Sequence, residues 1–186
     1  MRRLETRLDG PILIEPQVFG DHRGFFHESY RKNVFAELGI PEDFPQDNHS
    51  RSATGIFRGL HFQVGAGAAK LVRCATGAII DYAVDLRKGS PTYGQWESFE
   101  LNDENLHQVY VPIGFAHGFV VTQGPADVMY KLSAYYDDSI ERGIAYDDPD
   151  VGLEFPEGLE LSVSDRDATA PRLRDVEDEL PFSYAG

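Results

Sequence analysis

The sequence predicts an all-β fold: an antiparallel jelly-roll barrel with a few short peripheral helices. Three observations carry that expectation. Between Ile56 and Tyr136 the apolar residues recur with the period of a strand. Tyr82, Val84 and Leu86 alternate with Ala83 and Asp85, and Val109 and Val111 flank Tyr110. Turn residues cut the region into short runs at sandwich or barrel spacing, at Thr76-Gly77, Lys88-Gly89-Ser90-Pro91, Asn102-Asp103 and Pro112-Ile113-Gly114. Helical periodicity is confined to the two ends of the chain. The open mouth of such a barrel is a natural seat for a ligand.

Taken in order, Gly10-Pro11-Ile12-Leu13-Ile14-Glu15-Pro16 is an apolar run bounded by prolines, which predicts an edge strand. Asp21-His22-Arg23-Gly24 reads as a turn into Phe25-Phe26-His27-Glu28. Ser29 is placed to cap a short helix through Leu38, with Val34, Phe35 and Leu38 on one face and Gly39 as its stop. The only other helical signal is a single turn within Asp175–Leu180. No repeat of 20–50 residues and no linker divides the chain, so residues 1–186 are expected to form one domain. A chain of this length buries roughly 70% of its unfolded surface.

Composition excludes several function classes. A formal net charge of −14 argues against nonspecific nucleic-acid binding. MRRLETRLDG has no apolar run after its arginines, so no signal peptide is expected, and no stretch of about 18 apolar residues predicts a membrane span. Cys74 is the single cysteine, which rules out an internal disulfide and fits a reducing cytoplasm. Against this acidic background, Asn48 to Arg73 carries Arg51, Arg58, Lys70 and Arg73, two histidines and no carboxylate. Clustered positive potential on an acidic protein marks a place to hold an anionic small molecule. The competing reading is a solvated basic edge beside a packed histidine.

Of the six histidines, His61 and His117 lie in apolar, strand-like surroundings. His22, His27 and His107 read as turn or edge positions, and His49 is intermediate. A metal-holding barrel would show an H-x-H pair, a following carboxylate and another histidine. Here the run is His61-Phe62-Gln63, with no acid until Asp81, so no metal is expected. Proton transfer is the chemistry left to these residues. At carbon it needs a base, a cation beside the enolate oxygen, and an acid; for inversion the acid must approach from the opposite face. His61 suits the base and Lys70 the oxyanion cation, while Tyr130, Tyr135 and Tyr136 are candidate acids. Packing is the competing role for each tyrosine.

The motifs then run in order along nearly the whole chain. They are Asp21-x-Arg23-Gly24-x-Phe26-x-Glu28, Gln46-Asp47-Asn48-His49-Ser50, Arg58-Gly59-Leu60-His61-Phe62-Gln63 and Lys70-Leu71-Val72. After them come Asp81-x-x-Val84-Asp85-x-Arg87-x-Gly89-Ser90-Pro91-Thr92-x-Gly94, Gly114-Phe115-Ala116-His117-Gly118-Phe119, Tyr130-Lys131, Tyr136 and Ser164-Asp165-Arg166-Asp167. Together they resemble the dTDP-4-dehydrorhamnose 3,5-epimerases, cupin-fold enzymes of deoxysugar synthesis.

The resemblance implies roles position by position. His61, oriented by Asp167, takes the protons from C3 and C5 of a 4-keto sugar; Lys70 stabilises the O4 enolate; Tyr130 returns a proton from the other face. Arg23, Glu28, Arg58 and Arg166 grip the nucleotide-sugar. Gln46, Asp47, Asn48, His117 and Glu141 make further contacts, Tyr136 stacks on thymine, and Phe26 walls the pocket. The resemblance also implies no metal or organic cofactor, and a homodimer whose N-terminal residues enter the partner's site. One ketone acidifies both neighbouring C–H bonds, so one base and one cation can serve both inversions. The chain departs from the pattern at Val64–Ala69, a loop one residue shorter that carries Ala where relatives usually have Gln, and this bears on the placement of Lys70. A C3-only or C5-only epimerase of a related sugar, a non-catalytic nucleotide-sugar binder and a metal-dependent cupin are the alternatives.

Overall fold

The computed structural model describes residues 1–185. In chain order the elements are β1 (Arg2–Leu4), β2 (Ile12–Glu15), β3 (Val18–Asp21), β4 (Gly24–His27), α1 (Lys32–Glu37), β5 (Gln46–Ser52) and β6 (Phe57–Gln63). They continue with β7 (Lys70–Asp85), β8 (Trp96–Asn102), β9 (Gln108–Val111), β10 (Phe115–Leu132) and β11 (Glu141–Gly143). Two helical turns, α2 (Asp165–Ala168) and α3 (Leu173–Val176), precede a 3₁₀ turn at Glu177–Glu179.

Strands β7 and β10 set the architecture. At 16 and 18 residues, and ~3.3 Å per residue, each is too long for one layer of a domain this size. They pair with each other along their length, and each serves both layers. The first half of β7 and the last half of β10 lie in a layer ordered β1-β2-β9-β7-β10-β5; their other halves lie in a layer ordered β8-β7-β10-β6-β11. All these pairings are antiparallel, which gives the expected jelly roll.

The layer change occurs where the sequence suggested a turn. Thr76-Gly77 is not a turn but an irregularity inside β7, opposite register shifts between Val121 and Val128 on β10. Gly77 has φ +78°, and a Cβ there would lie 2.4 Å from the Gln123 carbonyl oxygen. Only glycine permits that approach.

Apolar residues fill three layers rather than one. Val72, Cys74, Ile79, Ala83, Phe119 and Val128 lie between the sheets. Tyr82, Val84, Leu86 and Val120 face the opposite way, onto the C-terminal segment around Ile144 and Leu173. Ile12, Ile14, Leu71 and Tyr110 pack under Phe35 of α1. The alternation through Tyr82–Leu86 is therefore real, but both faces of the strand are buried. Each fully buried aliphatic or aromatic side chain contributes on the order of 1.5–3 kcal/mol.

Three local expectations differ from the structure. The run at Ile12–Glu15 is not the edge, because β1 pairs outside it. Ser29 does not cap α1: the helix starts at Lys32, with Arg31 at its N-cap and no side-chain cap. Tyr30, ahead of the helix, packs tilted against Phe35 and edge-on against Phe44. The third is α2, a turn the sequence reading lacked, whose N-cap Ser164 accepts a hydrogen bond from the Asp167 amide.

Candidate active site

A cavity of about 500 Å³ opens between the two layers. Its first requirement is that Arg58 and His61 share a wall. Residues three apart in a regular strand point to opposite faces. On β6 they do not, because two residues there, Gly59 and Leu60, oppose the single Gly118 on β10: His61 pairs with His117, whereas Arg58 pairs with Phe119. This bulge turns both side chains inward, toward the same side as His117 and Phe119. Gly59 lies in the bulge at φ +137°, and a Cβ on it would come within 2.4 Å of Gly118 Cα, so the motif needs glycine there.

His61 Nε2 lies 2.7 Å from Asp167 Oδ1. Asp167 is buried at 5% exposure on the short helix α2. Burial alone would raise its carboxyl, but hydrogen bonds from His61 and the Gly59 amide outweigh it and hold the group below the ordinary carboxylate range. An ionised carboxylate only accepts, so the hydrogen bond assigns the imidazole proton to Nε2. Nδ1 is left with its lone pair, which is the state a general base needs.

The opposite layer supplies the other candidate groups, Lys70 and Tyr130. Lys70, the first residue of β7, donates from Nζ to the His61 carbonyl oxygen at 3.1 Å. Burial pushes its ammonium down to about 8, against the opposing pull of Glu141 and Asp81. The shortened loop before it therefore still delivers Lys70 to the cavity. Tyr130 on β10 pairs with Asn48 and Val72 and packs against the central core while lining the same cavity. Tyr135 is 74% exposed and does not line it.

At the rim, Arg58 Nε donates to Ser52 Oγ at 2.9 Å. Arg166 pairs with Glu141 at 2.6 Å, and Glu141 also accepts from the Tyr136 hydroxyl at 2.9 Å. The Tyr136 amide donates to Gln46 Oε1 at 2.8 Å, and Gln46 Nε2 donates to Asn48 Oδ1 at 3.0 Å. Deeper in, His117 Nε2 lies 2.8 Å from Asp81 Oδ2. Burial pushes the His117 imidazolium down and the Asp81 carboxyl up.

The structure does not bring every candidate to this cavity. Asp47 points to the other face of β5, where it pairs with Lys131 at 2.6 Å. Arg23 and Phe26 lie on the β3–β4 hairpin and Glu28 follows it. Arg23 binds Asp21, Glu28 lies 3.3 Å from Arg31, and Phe26 is 65% exposed. The basic run is divided by strand alternation. Arg58 and Lys70 face the cavity, whereas Arg51 and His49 bind Asp127 and Arg73 meets Met129 on the outer side. The sequence reading gave no role to Ser50, Ser52 or Asp81, although Ser50 and Asp81 stand in its motifs. Asp81 had a signal, as the lone acid inside the apolar run Ala78–Val84. Among the described residues, no three His, Cys, Asp or Glu side chains are arranged to hold a metal ion.

The sequence model of the family described as dTDP-4-dehydrorhamnose 3,5-epimerase matches residues 5–175. The chain belongs to that family. A dTDP-4-dehydrorhamnose 3,5-epimerase of Salmonella typhimurium is 48% identical over 172 residues, covering 91% of this chain and 94% of the relative. Among solved structures, the epimerase of Legionella pneumophila in complex with dTDP-4-keto-L-rhamnose matches with a TM-score of 0.96. It is 42% identical and covers 100% of this chain and 99% of its own. A 3'-monoepimerase from Streptomyces bikiniensis in complex with dTDP-quinovose matches at 0.89, with 35% identity over 95% of this chain and 91% of that one. The epimerase family thus accounts for the jelly roll, which is the cupin fold the motifs implied.

Proposed function

We propose that this chain inverts C3 and C5 of dTDP-4-dehydro-6-deoxy-D-glucose, giving dTDP-4-dehydro-L-rhamnose for dTDP-L-rhamnose synthesis. The observation that carries the reading is the Asp167-held His61 on one wall of a cavity whose other wall bears Lys70 and Tyr130. His61 Nδ1 takes the proton next to the ketone. The electron pair passes to O4, beside the Lys70 ammonium. Tyr130, on the facing layer, delivers a proton to the opposite side of the carbon. The reaction is redox-neutral: between the two inversions His61 returns its proton to solvent and Tyr130 regains one from it.

Arg58 and Arg166 at the rim suit the diphosphate, and Tyr136 offers a ring for the thymine. Gln46, Asn48, His117 and Glu141 line or brace the remaining surface. Arg23, Phe26 and Glu28 serve a second copy's cavity in a homodimer. The exposure of Phe19, Phe25 and Phe26 on their hairpin supports this, at 56%, 58% and 65%. The single domain works in the cytoplasm without a cofactor. Its partners are the dTDP-sugar and its own second copy, and its negative charge disfavours nucleic acid. No helix among the described residues is long and apolar enough to cross a membrane.

Proton NMR of the protein with this substrate in deuterated water tests the reading. Deuterium at both C3 and C5, in a product that a coupled reductase converts to dTDP-L-rhamnose, supports it. Incorporation at one carbon favours the second reading, a mono-epimerase, which the likeness to the Streptomyces bikiniensis enzyme keeps open. Binding without exchange leaves a nucleotide-sugar binder.

A further inference from the structure

Behind the reacting groups lies a second acid–imidazole pair to which the mechanism above gives no task. Asp81 sits on β7 and is 0% exposed. Its Oδ2 meets His117 Nε2 at 2.8 Å, while Oδ1 has no hydrogen-bond partner at all. His117 in turn faces His61 across the β6–β10 ladder and lines the cavity. A fully buried, half-satisfied carboxylate is costly, typically by several kcal/mol. Nothing in the packing requires it, since its neighbours Ile79 and Ala83 on the same face of β7 are apolar.

We infer that Asp81 is a positioning residue for the proposed epimerisation: it fixes the tautomer of His117 on the cavity wall. The inference rests on the epimerase reading. With Asp81 ionised, its oxygen can only accept, so the proton of a neutral His117 resides on Nε2. Nδ1 is then the one ring nitrogen left to a molecule in the cavity, as an acceptor for a sugar hydroxyl. Burial, the Lys70 ammonium and His61 all disfavour a charged His117.

Two measurements test this. The first needs no substrate. Nitrogen-15 shifts of His117 in the wild-type protein at pH 7 should show a protonated Nε2 and an unprotonated Nδ1; the reverse tautomer, or an imidazolium, overturns the proposal. The second is the same spectrum of Asp81→Asn, read beside its kcat/KM. An amide can donate to Nε2, so the His117 proton should move to Nδ1 and kcat/KM should fall about tenfold or more. A variant that is slower with the His117 tautomer unmoved shows a merely structural role and overturns the proposal. If wild type itself exchanges no substrate proton, the epimerase reading fails instead, while the His117 tautomer is still read directly.

Discussion

Replacing Asp167 by Asn tests the base most directly, because it keeps the shape of the dyad and changes only what it can accept. In wild type the 2.7 Å contact holds the His61 proton on Nε2 and leaves Nδ1 free. An amide can turn its NH₂ toward Nε2 instead. The imidazole proton then moves to Nδ1, the atom that must take the substrate proton. Losing a charge-assisted hydrogen bond costs about 1.5–3 kcal/mol, and holding the wrong tautomer costs more; the same change in a Ser-His-Asp triad lowers kcat by about 10⁴. A fall of about 10³–10⁴ in kcat is expected here, or roughly 4–5.5 kcal/mol at about 1.36 kcal/mol per decade. Deuterium wash-in at C3 and C5, followed by NMR under saturating substrate, measures it. Calorimetric titration with dTDP should give an unchanged dissociation constant, since Asp167 bonds to His61 and the Gly59 amide, while the rim arginines bond to Ser52 and Glu141. A kcat within tenfold of wild type would refute the assignment of His61 and Asp167 as the base.

Three further outcomes are expected. Tyr130→Phe should slow formation of inverted product far more than initial loss of the substrate proton, a contrast that NMR in deuterated water resolves; full wild-type epimerisation would remove Tyr130 from the acid's role. Arg58→Ala should weaken dTDP-sugar binding about 10–100-fold, the worth of one charge-assisted contact of about 1.5–3 kcal/mol, and an unchanged dissociation constant would take it out of the anion clamp. Lys70→Met should abolish turnover, and its stability relative to wild type should be greater at pH 7 than at pH 10, by at most on the order of 3 kcal/mol. The sign follows from the buried ammonium, whose folded pKa of about 8 lies below its ordinary value of 10.5. The penalty of burying the charge is thus fully present below about 8 and fades as pH rises toward 10.5. Urea melts at pH 7 and at pH 10 check it.

The jelly roll was legible because strand alternation and turn chemistry survive in the sequence as local signals. The dyad was not legible from spacing. Asp167 reaches His61 across 106 residues, and only the motif resemblance joined them. Arg58 and His61 show the converse. Their spacing alone would have placed them on opposite faces, and it is the bulge at Gly59 that reunites them. Gly77 misled because glycine marks turns and bulges alike; the 2.4 Å approach to the Gln123 carbonyl, which distinguishes the two, exists only in three dimensions. The basic run was over-read, since alternation on β5 and β7 sends Arg51 and Arg73 to the far side of the sheet. Ser164, by contrast, was a readable cap that went unused.

Because β7 and β10 belong to both layers, the two walls of the cavity hang on the one ladder that joins these strands. β10 holds His117 at one end and Tyr130 at the other, and β7 holds Lys70 and Asp81 in the same way. The spacing between His61, Lys70 and Tyr130 is therefore set by backbone pairing across β6, β7 and β10. Amide protons along both long strands should then exchange with solvent only when the whole molecule opens, so that the reacting geometry persists intact up to unfolding and vanishes in a single step.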